Sequence, residues 1–281
     1  MKFIFIIPIL LFYSLLSSCN ESIEPISTIP VPTKGYTTPN VYPDMTSIWA
    51  DDFNETSLKS TNWNFQIGNG CPNLCGWGNN EIQYYKQENV ILQDGYLIIK
   101  AEEETIGTNK YSSSRINTQN KFSFHYGRID VRAVLPVGQG IWPAIWMLGD
   151  DIETLGWPAS GEIDIMEMIG GNGREKTIHG TAHWENNGSH AMLNGDYSLS
   201  SGTFNDEFHV FSIIWNAESI RWYINDIKYH EIDITQQDLN EFQNDFHFLI
   251  NLAIGGDWPG NPDNTTNFPQ YFIVDYIRVF Q

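Results

Sequence analysis

Nine segments of the chain have the composition of β-strands, and their number limits the possible folds more than any other feature of the sequence. Each is rich in β-branched and aromatic residues, and clusters of Gly, Asn, Asp or Pro separate most of them. The segments are 89–100, 121–135, 141–148, 162–169, 176–185, 208–215, 219–225, 246–253 and 271–280. One stretch, 235–242, indicates a short helix. Many strands with almost no helix predict an all-β fold, a two-sheet antiparallel β-sandwich of the jelly-roll type.

The first 18 residues have the features of an export signal. Lys2 gives a positive start, and the apolar run that follows is shorter than the ~20 residues needed to span a bilayer. The sequence Leu16-Ser17-Ser18-Cys19 resembles the bacterial lipoprotein box, in which cleavage leaves a lipid-bearing cysteine at the new N-terminus. An ordinary cleaved signal with an incidental cysteine is the alternative. We therefore expect an exported bacterial lipoprotein, anchored to a membrane through Cys19, in the periplasm or at the cell surface.

Residues 19–46 separate this signal from the rest of the chain. Five prolines lie there among Ser, Thr and Asn, and no periodic apolar face is present. This composition is typical of an extended linker and predicts a tether between the membrane and a folded domain. No second linker and no internal repeat follow, so we expect 47–281 to form one domain and the protein to be a monomer.

The two remaining cysteines, Cys71 and Cys75, lie four residues apart. An exported protein meets an oxidising compartment, which favours a short-loop disulfide between them. Two free thiols are the alternative, and no further cysteine is present to complete a zinc site. We expect the disulfide to shape a loop rather than to take part in redox chemistry.

The charge and the aromatic content limit the classes of partner. The chain carries 34 acidic and 15 basic side chains, a net charge of -19, whereas nucleic-acid binding needs clustered Lys and Arg. Ten Trp, 13 Tyr and 16 Phe are too many aromatic residues for an intrinsically disordered chain. An acidic, aromatic-rich protein suits a neutral ligand that stacks on rings, such as a sugar.

Segment 161–167, Gly-Glu-Ile-Asp-Ile-Met-Glu, places three carboxylates on one predicted strand. Side chains of a strand alternate between its faces, so Glu162 and Asp164 point the same way and Glu167 would point into the core. A lone buried glutamate is costly, and a one-residue bulge at 165–166 would return Glu167 to the acidic face. The two glutamates would then be about 13 Å apart along the backbone, and inward-leaning carboxyls would approach the ~5–5.5 Å spacing of a retaining glycosidase.

Three like charges on one strand disfavour folding unless they bind a metal or share protons for catalysis. Neighbouring carboxylates raise one another's pKa, which keeps a proton on a general acid at neutral pH. A solvent-facing acidic strand is one alternative, but Ile163, Ile165, Met166 and Met168 indicate a buried strand. A calcium loop is another, although such loops are rich in turns and glycine. The pattern favours catalysis.

Several motifs in chain order resemble family 16 of the glycoside hydrolases, in its laminarinase-like form. Glu-Ile-Asp-Ile-Met-Glu is similar to the bulged E-x-D-x-x-E signature of that family. The other motifs are GWGNNEIQYY (76–85), the run at 126–149, WPASGEIDIMEMIG (157–170), GTAHW (180–184) and NLAIGGDWPGNPD (251–263). The resemblance implies a concanavalin-like jelly roll with a cleft on its concave sheet. It also implies Glu162 as nucleophile, Glu167 as acid/base and Asp164 as the residue that tunes both.

Six further residues are expected to bind substrate. Indole faces stack on the C–H surface of β-linked glucose, and core packing is the alternative for any single Trp. The resemblance favours the cleft for Trp142, Trp146 and Trp157. It also implies contacts with sugar hydroxyls for Asn80, Arg115 and His183. Four other tryptophans are expected in the core: Trp49, Trp63, Trp215 and Trp222.

No cofactor is expected for catalysis, and the sequence contains two candidate metal sites. His179 and His183 are four residues apart, which on a strand is about 13 Å and too far for one ion. The resemblance implies a structural calcium ion remote from the catalytic residues. Its ligands would be Asp52, the carbonyl of Gly95 and Asp275, for which ordinary turn and strand-end roles are the alternative.

The function implied by the resemblance is that of an endo-β-1,3-glucanase, a retaining glycosidase acting on laminarin-type glucan by double displacement. The same fold acting on mixed-linkage β-1,3-1,4-glucan or another β-linked polysaccharide is one alternative. A non-catalytic glycan-binding jelly roll is the other, although a binding module has no need to crowd three acids. The net charge of -19 argues against sulfated polymers, which it would repel.

Overall fold

A computed structural model describes residues 28–281, and two β-sheets account for most of this part of the chain. Ten strands form the first sheet: β1 (Ser47–Asp51), β3 (Gln83–Tyr85), β4 (Val90–Gln93), β5 (Tyr96–Ile106), β6 (Asn109–Ser113), β9 (Gly127–Val134), β14 (His209–Trp215), β15 (Ser219–Ile224), β16 (Ile227–Asp233) and β18 (Gln270–Phe280). Eight strands form the second: β2 (Asn64–Phe65), β7 (Arg115–Asn117), β8 (Ser123–Phe124), β10 (Ile141–Gly149), β11 (Glu162–Glu167), β12 (Thr177–Asn186), β13 (Ser189–Ser198) and β17 (Phe246–Ile254). The helical segments are α1 (Ile152–Leu155) and 3-10 turns at Cys75–Gly78, Gln87–Asn89, Arg174–Lys176 and Gln237–Gln243.

Among the described strands, β3 and β6 pair in parallel and all other neighbours are antiparallel. The second sheet has the order β13-β12-β11-β10-β17-β7-β2, and β8 also pairs with β17. The two sheets pack face to face around one large apolar core, which confirms the predicted sandwich. Strand β11, which carries the three acids, lies inside the second sheet between β10 and β12.

Every segment predicted as a strand contains one, and the predicted helix is the 3-10 turn Gln237–Gln243. Segment 89–100 is a hairpin of β4 and β5, and segment 121–135 divides into β8 and β9. Seven strands lie outside the predicted segments: β1, β2, β3, β6, β7, β13 and β16. The longest of them, β13, is an edge strand whose side chains are mostly exposed. Its Ser, His, Asn, Gly and Asp residues have the composition of a loop, so only pairing with β12 reveals it as a strand.

A tryptophan from the first sheet supports the backbone of β11. Trp222 is fully buried, and its Nε1–H donates to the Asp164 carbonyl at 2.7 Å. Gly180 on β12 makes room for this indole, because a Cβ there would lie 2.4 Å from Trp222 Cδ1. The predicted burial of Trp63, Trp215 and Trp222 is confirmed, and Trp49 packs half-buried against the same core.

Residues 28–46, the described part of the predicted tether, pack against the first sheet. Tyr36 donates its N–H to the carbonyl of Phe208 at 2.8 Å, and Thr38 donates its own N–H to the Tyr276 hydroxyl at 3.0 Å. The Tyr42 hydroxyl donates to Asp130 at 2.7 Å. These contacts use backbone groups and isolated tyrosines, so they leave no periodic pattern in the sequence.

The predicted disulfide between Cys71 and Cys75 is present in the loop that precedes β3. The predicted signal (1–18), the lipidated Cys19 and the first part of the tether lie outside the described residues, and their assignment stays a prediction. Within 28–281, no helix has the length and apolar character to cross a membrane.

Candidate active site

The predicted bulge is present in β11. Leu148 of β10 pairs with Glu162, Trp146 with Asp164 and Ala144 with Glu167, which leaves Ile165 as the extra residue. The register between β11 and β12 shifts at the same place. Glu162 and Glu167 therefore pair with residues of β10 that are four positions apart, which corresponds to about 13 Å along the strand. All three acids lie on the face of the sheet opposite to the buried Ile163 and Ile165.

His183 lies directly across from Glu162 on β12 and contacts two of the acids. Its Nε2 is 3.0 Å from Asp164 Oδ2 and 3.7 Å from Glu162 Oε1. Its Nδ1 is 2.8 Å from Nε2 of His190 on β13. His179, four residues earlier on the same strand, lies opposite Glu167, so the two histidines are separated as predicted.

Two indole N–H groups bind the two glutamates. Trp142 donates to Glu167 Oε1 at 3.0 Å, and Trp157 donates to Glu162 Oε2 at 3.0 Å. Trp142 is 9% exposed, whereas Trp157 is 50% exposed and presents much of its ring to solvent. Both residues were predicted at the site as stacking platforms, and their hydrogen bonds add a second role.

Trp146 and Arg115 belong to the same face of the sheet. The Arg115 guanidinium lies 4.8 Å from the Trp146 ring centroid and 4.6 Å from that of Trp77. Trp146 donates its Nε1–H to Asn251 Oδ1 at 2.7 Å. Because Arg115 is 7% exposed, its role here is to hold the indoles, and its charge favours the ionised form of Glu162.

A buried glutamate that the sequence analysis missed supports this region. Glu81 accepts hydrogen bonds from Asn79, Gln83 and the Tyr85 hydroxyl. Tyr85 also accepts from Asn251, which connects the cluster to Trp146. These residues lie within the motifs at 76–85 and 251–263, and membership of those motifs is the sequence feature that could have identified them as part of the site.

The predicted Asn80 lies at the rim, and so does an unpredicted tryptophan. Asn80 is exposed and donates to both carboxylate oxygens of Asp257, at 3.0 and 3.1 Å. Trp258 is 41% exposed and meets Trp142 edge-on, with ring centroids 5.5 Å apart. It also lies 5.0 Å from the His179 ring. Trp258 thus extends the aromatic surface on the Glu167 side.

Burial and mutual repulsion raise the pKa of all three acids. Desolvation and the charge of Asp164 raise the pKa of Glu162 to about 8, while His183, the Trp157 N–H and Arg115 oppose the rise. Desolvation raises the pKa of Asp164 as well. The pKa of Glu167 is raised well above its ordinary value by desolvation and by the charges of Asp164 and Glu162. Because Arg115 favours ionised Glu162, Glu167 is the carboxyl suited to hold the shared proton.

Replacing Trp142 with Phe is expected to shift the alkaline limb of the kcat/KM profile to higher pH. The Trp142 N–H stabilises ionised Glu167 and so lowers its pKa, and its removal raises that pKa. The alkaline limb reports loss of the proton from the general acid in the free enzyme. Trp146→Phe is the control, since its N–H binds Asn251 instead. An alkaline limb that stays in place or moves to lower pH would contradict this account.

The three predicted calcium ligands lie by the first sheet. Asp52 follows β1, and a Cβ at Gly95 would lie 3.9 Å from the Asp52 carbonyl oxygen. Asp275 lies at a register shift in β18, the partner of both β1 and β5. Each carboxylate already has a guanidinium partner: Arg278 lies 3.2 Å from Asp52, and Arg132 lies 2.5 Å from Asp275. A bound ion would have to share these oxygens.

Comparisons with known proteins agree with this geometry. The sequence model of Glycosyl hydrolases family 16 matches residues 78–278. The chain is 38% identical over 235 residues to the clotting factor G alpha subunit of Tachypleus tridentatus, covering 83% of this chain and 34% of that protein. It is 37% identical over 251 residues to a beta-glucanase of Rhodothermus marinus, covering 83% of this chain and 84% of that protein.

Among solved structures, the laminarinase catalytic domain of Thermotoga maritima superimposes with a TM-score of 0.78 and 41% sequence identity. The alignment covers 85% of this chain and 98% of that domain. The chain spans about a third of the length of the clotting factor subunit, but most of the length of the beta-glucanase and of the laminarinase domain. The bulged acidic strand, the sandwich and these matches together show that the chain belongs to glycoside hydrolase family 16.

Proposed function

We propose that this protein is an endo-acting, retaining glycosidase that cleaves β-1,3-glucan. The observation that carries the proposal is the bulged strand β11, which places Glu162 and Glu167 on one face with Asp164 between them. The similar proteins support β-1,3-glucan as the substrate, because one is named a beta-glucanase and another is a laminarinase catalytic domain. The acidic, lysine-poor composition is consistent with a neutral polysaccharide.

The first step of the reaction is glycosylation of Glu162. Protonated Glu167 donates its proton to the glycosidic oxygen as the ionised carboxylate of Glu162 attacks the anomeric carbon. The C–O bond to the leaving sugar breaks, and an ester bond between the sugar and Glu162 forms. The Trp157 N–H holds Glu162 at one oxygen, which leaves the other for attack.

The second step releases the sugar from Glu162. Glu167, now ionised, takes a proton from a water molecule as that water attacks the anomeric carbon. The ester bond breaks, Glu162 becomes a carboxylate again, and Glu167 holds the proton for the next cycle. The Trp142 N–H stabilises Glu167 in its ionised state between the two steps. The charge of Asp164 raises the pKa of both glutamates.

The exposed tryptophans support binding of a sugar chain. Trp157 lies beside Glu162, and Trp258 lies near Glu167, so half-exposed indoles flank the acids on both sides. Indole rings stack on the apolar faces of sugars. A chain that crosses the site from one indole to the other suits cleavage within a polymer rather than at its end.

A non-catalytic glycan-binding protein is the competing function. Burying three mutually repelling carboxylates destabilises the fold, and a binding site gains nothing from it. Incubation with laminarin followed by a reducing-sugar assay separates the two functions. Mixed-linkage glucan in the same panel, with sizing of the products, separates β-1,3-glucan from the other β-linked substrates.

Proton NMR of the first products is expected to show the β-anomer at the new reducing end. Two successive displacements at the anomeric carbon restore the starting configuration. The spectra must be recorded before mutarotation mixes the anomers. A first-formed α-anomer from a β-glucan would refute the covalent role of Glu162.

We propose a structural calcium ion at Asp52, Gly95 and Asp275, since two carboxylates and a carbonyl are hard oxygen ligands of the kind that calcium prefers. Removal of calcium with a chelator is then expected to lower the melting temperature, and added calcium to restore it. Asp275→Asn should abolish this calcium dependence, whereas Asp257→Asn at the opposite sheet should retain it. A melting temperature that chelator does not move would remove the support for the ion.

We also propose that the protein is an exported lipoprotein, tethered to a membrane by a lipid on Cys19, and that it acts as a monomer. The basis for the export and the lipid anchor is the composition of residues 1–19, which lie outside the described part of the chain. The described part of the predicted tether, residues 28–46, packs on the first sheet.

A further inference from the structure

Three side chains of the active site form a group with the donor set of a transition-metal site. Oxygen atoms of Glu162 and Asp164 and a ring nitrogen of His183 all lie within 4.8 Å of one another. His183 Nε2 is 3.0 Å from Asp164 Oδ2 and 3.7 Å from Glu162 Oε1. An ion bound tetrahedrally at ~2.0–2.1 Å keeps its ligands about 3.3 Å apart. The two distances from His183 Nε2 lie on either side of this value, and the three ligand atoms, all within 4.8 Å of one another, would have to draw together around the ion.

A buried oxygen in this group lacks a hydrogen bond. Asp164 Oδ2 has almost no exposed surface and accepts no aligned hydrogen bond, although it lies near His183 Nε2. The Asp164 side chain is 3% exposed, so water does not compensate for the missing partner. A buried carboxylate oxygen without a donor is costly, and a cation would satisfy it.

The position of His190 suits His183 as a metal ligand. His183 Nδ1 and His190 Nε2 are 2.8 Å apart, within hydrogen-bond distance. If His183 carries its proton on Nδ1 and donates it to His190, the lone pair on Nε2 faces the two carboxylates. Histidine ligands of metals are commonly oriented in this way by a hydrogen bond from the second ring nitrogen.

We propose that Glu162, Asp164 and His183 bind Zn²⁺, and that the bound ion inhibits hydrolysis. Carboxylate oxygen and imidazole nitrogen are both ligands that zinc takes, and three protein ligands with a fourth position open to water is the arrangement of its non-structural sites. Calcium fits poorly, because it binds oxygen ligands and one of the three ligands here is an imidazole nitrogen. The ion inhibits because it occupies the oxygen of Glu162 that attacks the sugar; this second part rests on the proposed function, whereas binding does not.

Calorimetric titration of ZnCl₂ into two inactive variants tests the binding. Glu162→Gln removes a zinc ligand, and Glu167→Gln removes an acid of the same cluster that is not one of the three ligands. We expect wild type and Glu167→Gln to bind one ion per chain, and Glu162→Gln to bind it at least ~10-fold more weakly. Equal affinity of the two variants, or no binding to wild type at millimolar Zn²⁺, would overturn the proposal.

A histidine pair on β12 provides the second comparison. His183→Ala removes the nitrogen ligand, whereas His179→Ala changes a histidine four residues away that faces Glu167. Zinc should bind His179→Ala as it binds wild type and His183→Ala at least ~10-fold more weakly. Circular dichroism shows whether each variant is folded, and equal weakening in both would place the ion elsewhere.

Inhibition is measured on wild type with laminarin. Zn²⁺ should stop reducing-sugar release at the concentrations at which it binds, Ca²⁺ at the same concentrations should not, and chelator should restore activity. A laminari-oligosaccharide should weaken zinc binding when both are added to Glu167→Gln. This variant is used because it does not hydrolyse the oligosaccharide during the titration. Zinc that binds without inhibiting would refute the inhibitory part. An absence of hydrolysis without zinc would refute the proposed function and leave the metal site standing.

Discussion

Glu162→Gln is expected to lower kcat on laminarin by roughly 10³–10⁵-fold, the largest loss for any single substitution in the chain. The amide is similar in size to the carboxylate and keeps an acceptor for the Trp157 N–H, but it cannot form the ester with the anomeric carbon. Reducing-sugar release under saturating laminarin measures the effect. Without the covalent step no glycosyl-enzyme forms, so mass spectrometry should detect no adduct after incubation with an activated fluoro-sugar.

The matched control is Glu185→Gln. Glu185 lies two residues beyond His183 on β12, is exposed, and is outside the group of three acids. This variant should retain nearly wild-type activity, because Glu185 is not one of the three acids, and it changes the net charge by the same amount as Glu162→Gln. If Glu162→Gln released sugar at a rate near that of Glu185→Gln, Glu162 would not be the nucleophile.

Local physical chemistry made the geometry of β11 predictable. Strict alternation would bury Glu167 alone in the core, and a bulge is the smallest change that avoids this cost. The structure has that bulge, and Trp222 binds the backbone carbonyl next to it. The tryptophan could be predicted as a core residue, but its hydrogen bond depends on how closely the two sheets approach at Gly180.

Features that depend on tertiary contacts were not predictable. Strand β13 is polar because its outer edge and one face meet solvent, so composition alone indicates a loop. Residues 28–46 have the composition of a linker, yet the Phe208 backbone and the Tyr276 hydroxyl hold them on the first sheet. The apolar content of a segment reflects how deeply it is buried. Neither of these two segments is deeply buried, so neither has the composition of an ordered element.

Within the site, too, some features could be predicted from the sequence and others depend on tertiary contacts. The resemblance placed Trp142, Trp157 and His183 near the acids, and the structure shows which carboxyl each one contacts. Trp258 and Glu81 were missed because each is far in sequence from β11 and reaches the site through loop or edge positions. Such contacts follow from the path of the chain, which the order of residues does not give directly.

Glu167→Gln is expected to separate the two chemical steps. On laminarin, loss of the general acid should lower kcat by roughly 10²–10⁴-fold, because the leaving sugar is a poor leaving group without a proton. On an aryl β-laminarioside with an acidic phenol as leaving group, the first step needs no proton. That substrate should therefore give a burst of phenol followed by slow turnover, since no base activates water for the second step.

Added azide tests the second half of this prediction, because it needs no general base. It should accelerate turnover of the aryl substrate by Glu167→Gln and give a β-glycosyl azide, since it attacks the ester from the side that water uses. Azide should have no such effect on wild type, in which Glu167 is ionised at that stage and repels the anion. An α-glycosyl azide, or no acceleration at all, would remove Glu167 from the role of acid/base.

The thermal stability of Glu167→Gln tests whether its loss of activity comes from the missing proton transfer or from a failure to fold. Burial raises the pKa of Glu167 above its unfolded value of about 4.3, so ionisation costs folding free energy that grows as the pH rises above that value. The amide carries no charge and removes this cost, so the variant should melt at a higher temperature than wild type at pH 7. Near pH 3, well below that unfolded value, wild-type Glu167 is almost wholly protonated in both states, and the two melting temperatures should converge. A variant that is inactive and less stable at pH 7 would mean that the acid is held by contacts the amide breaks, and its kinetics would then carry no information on proton transfer.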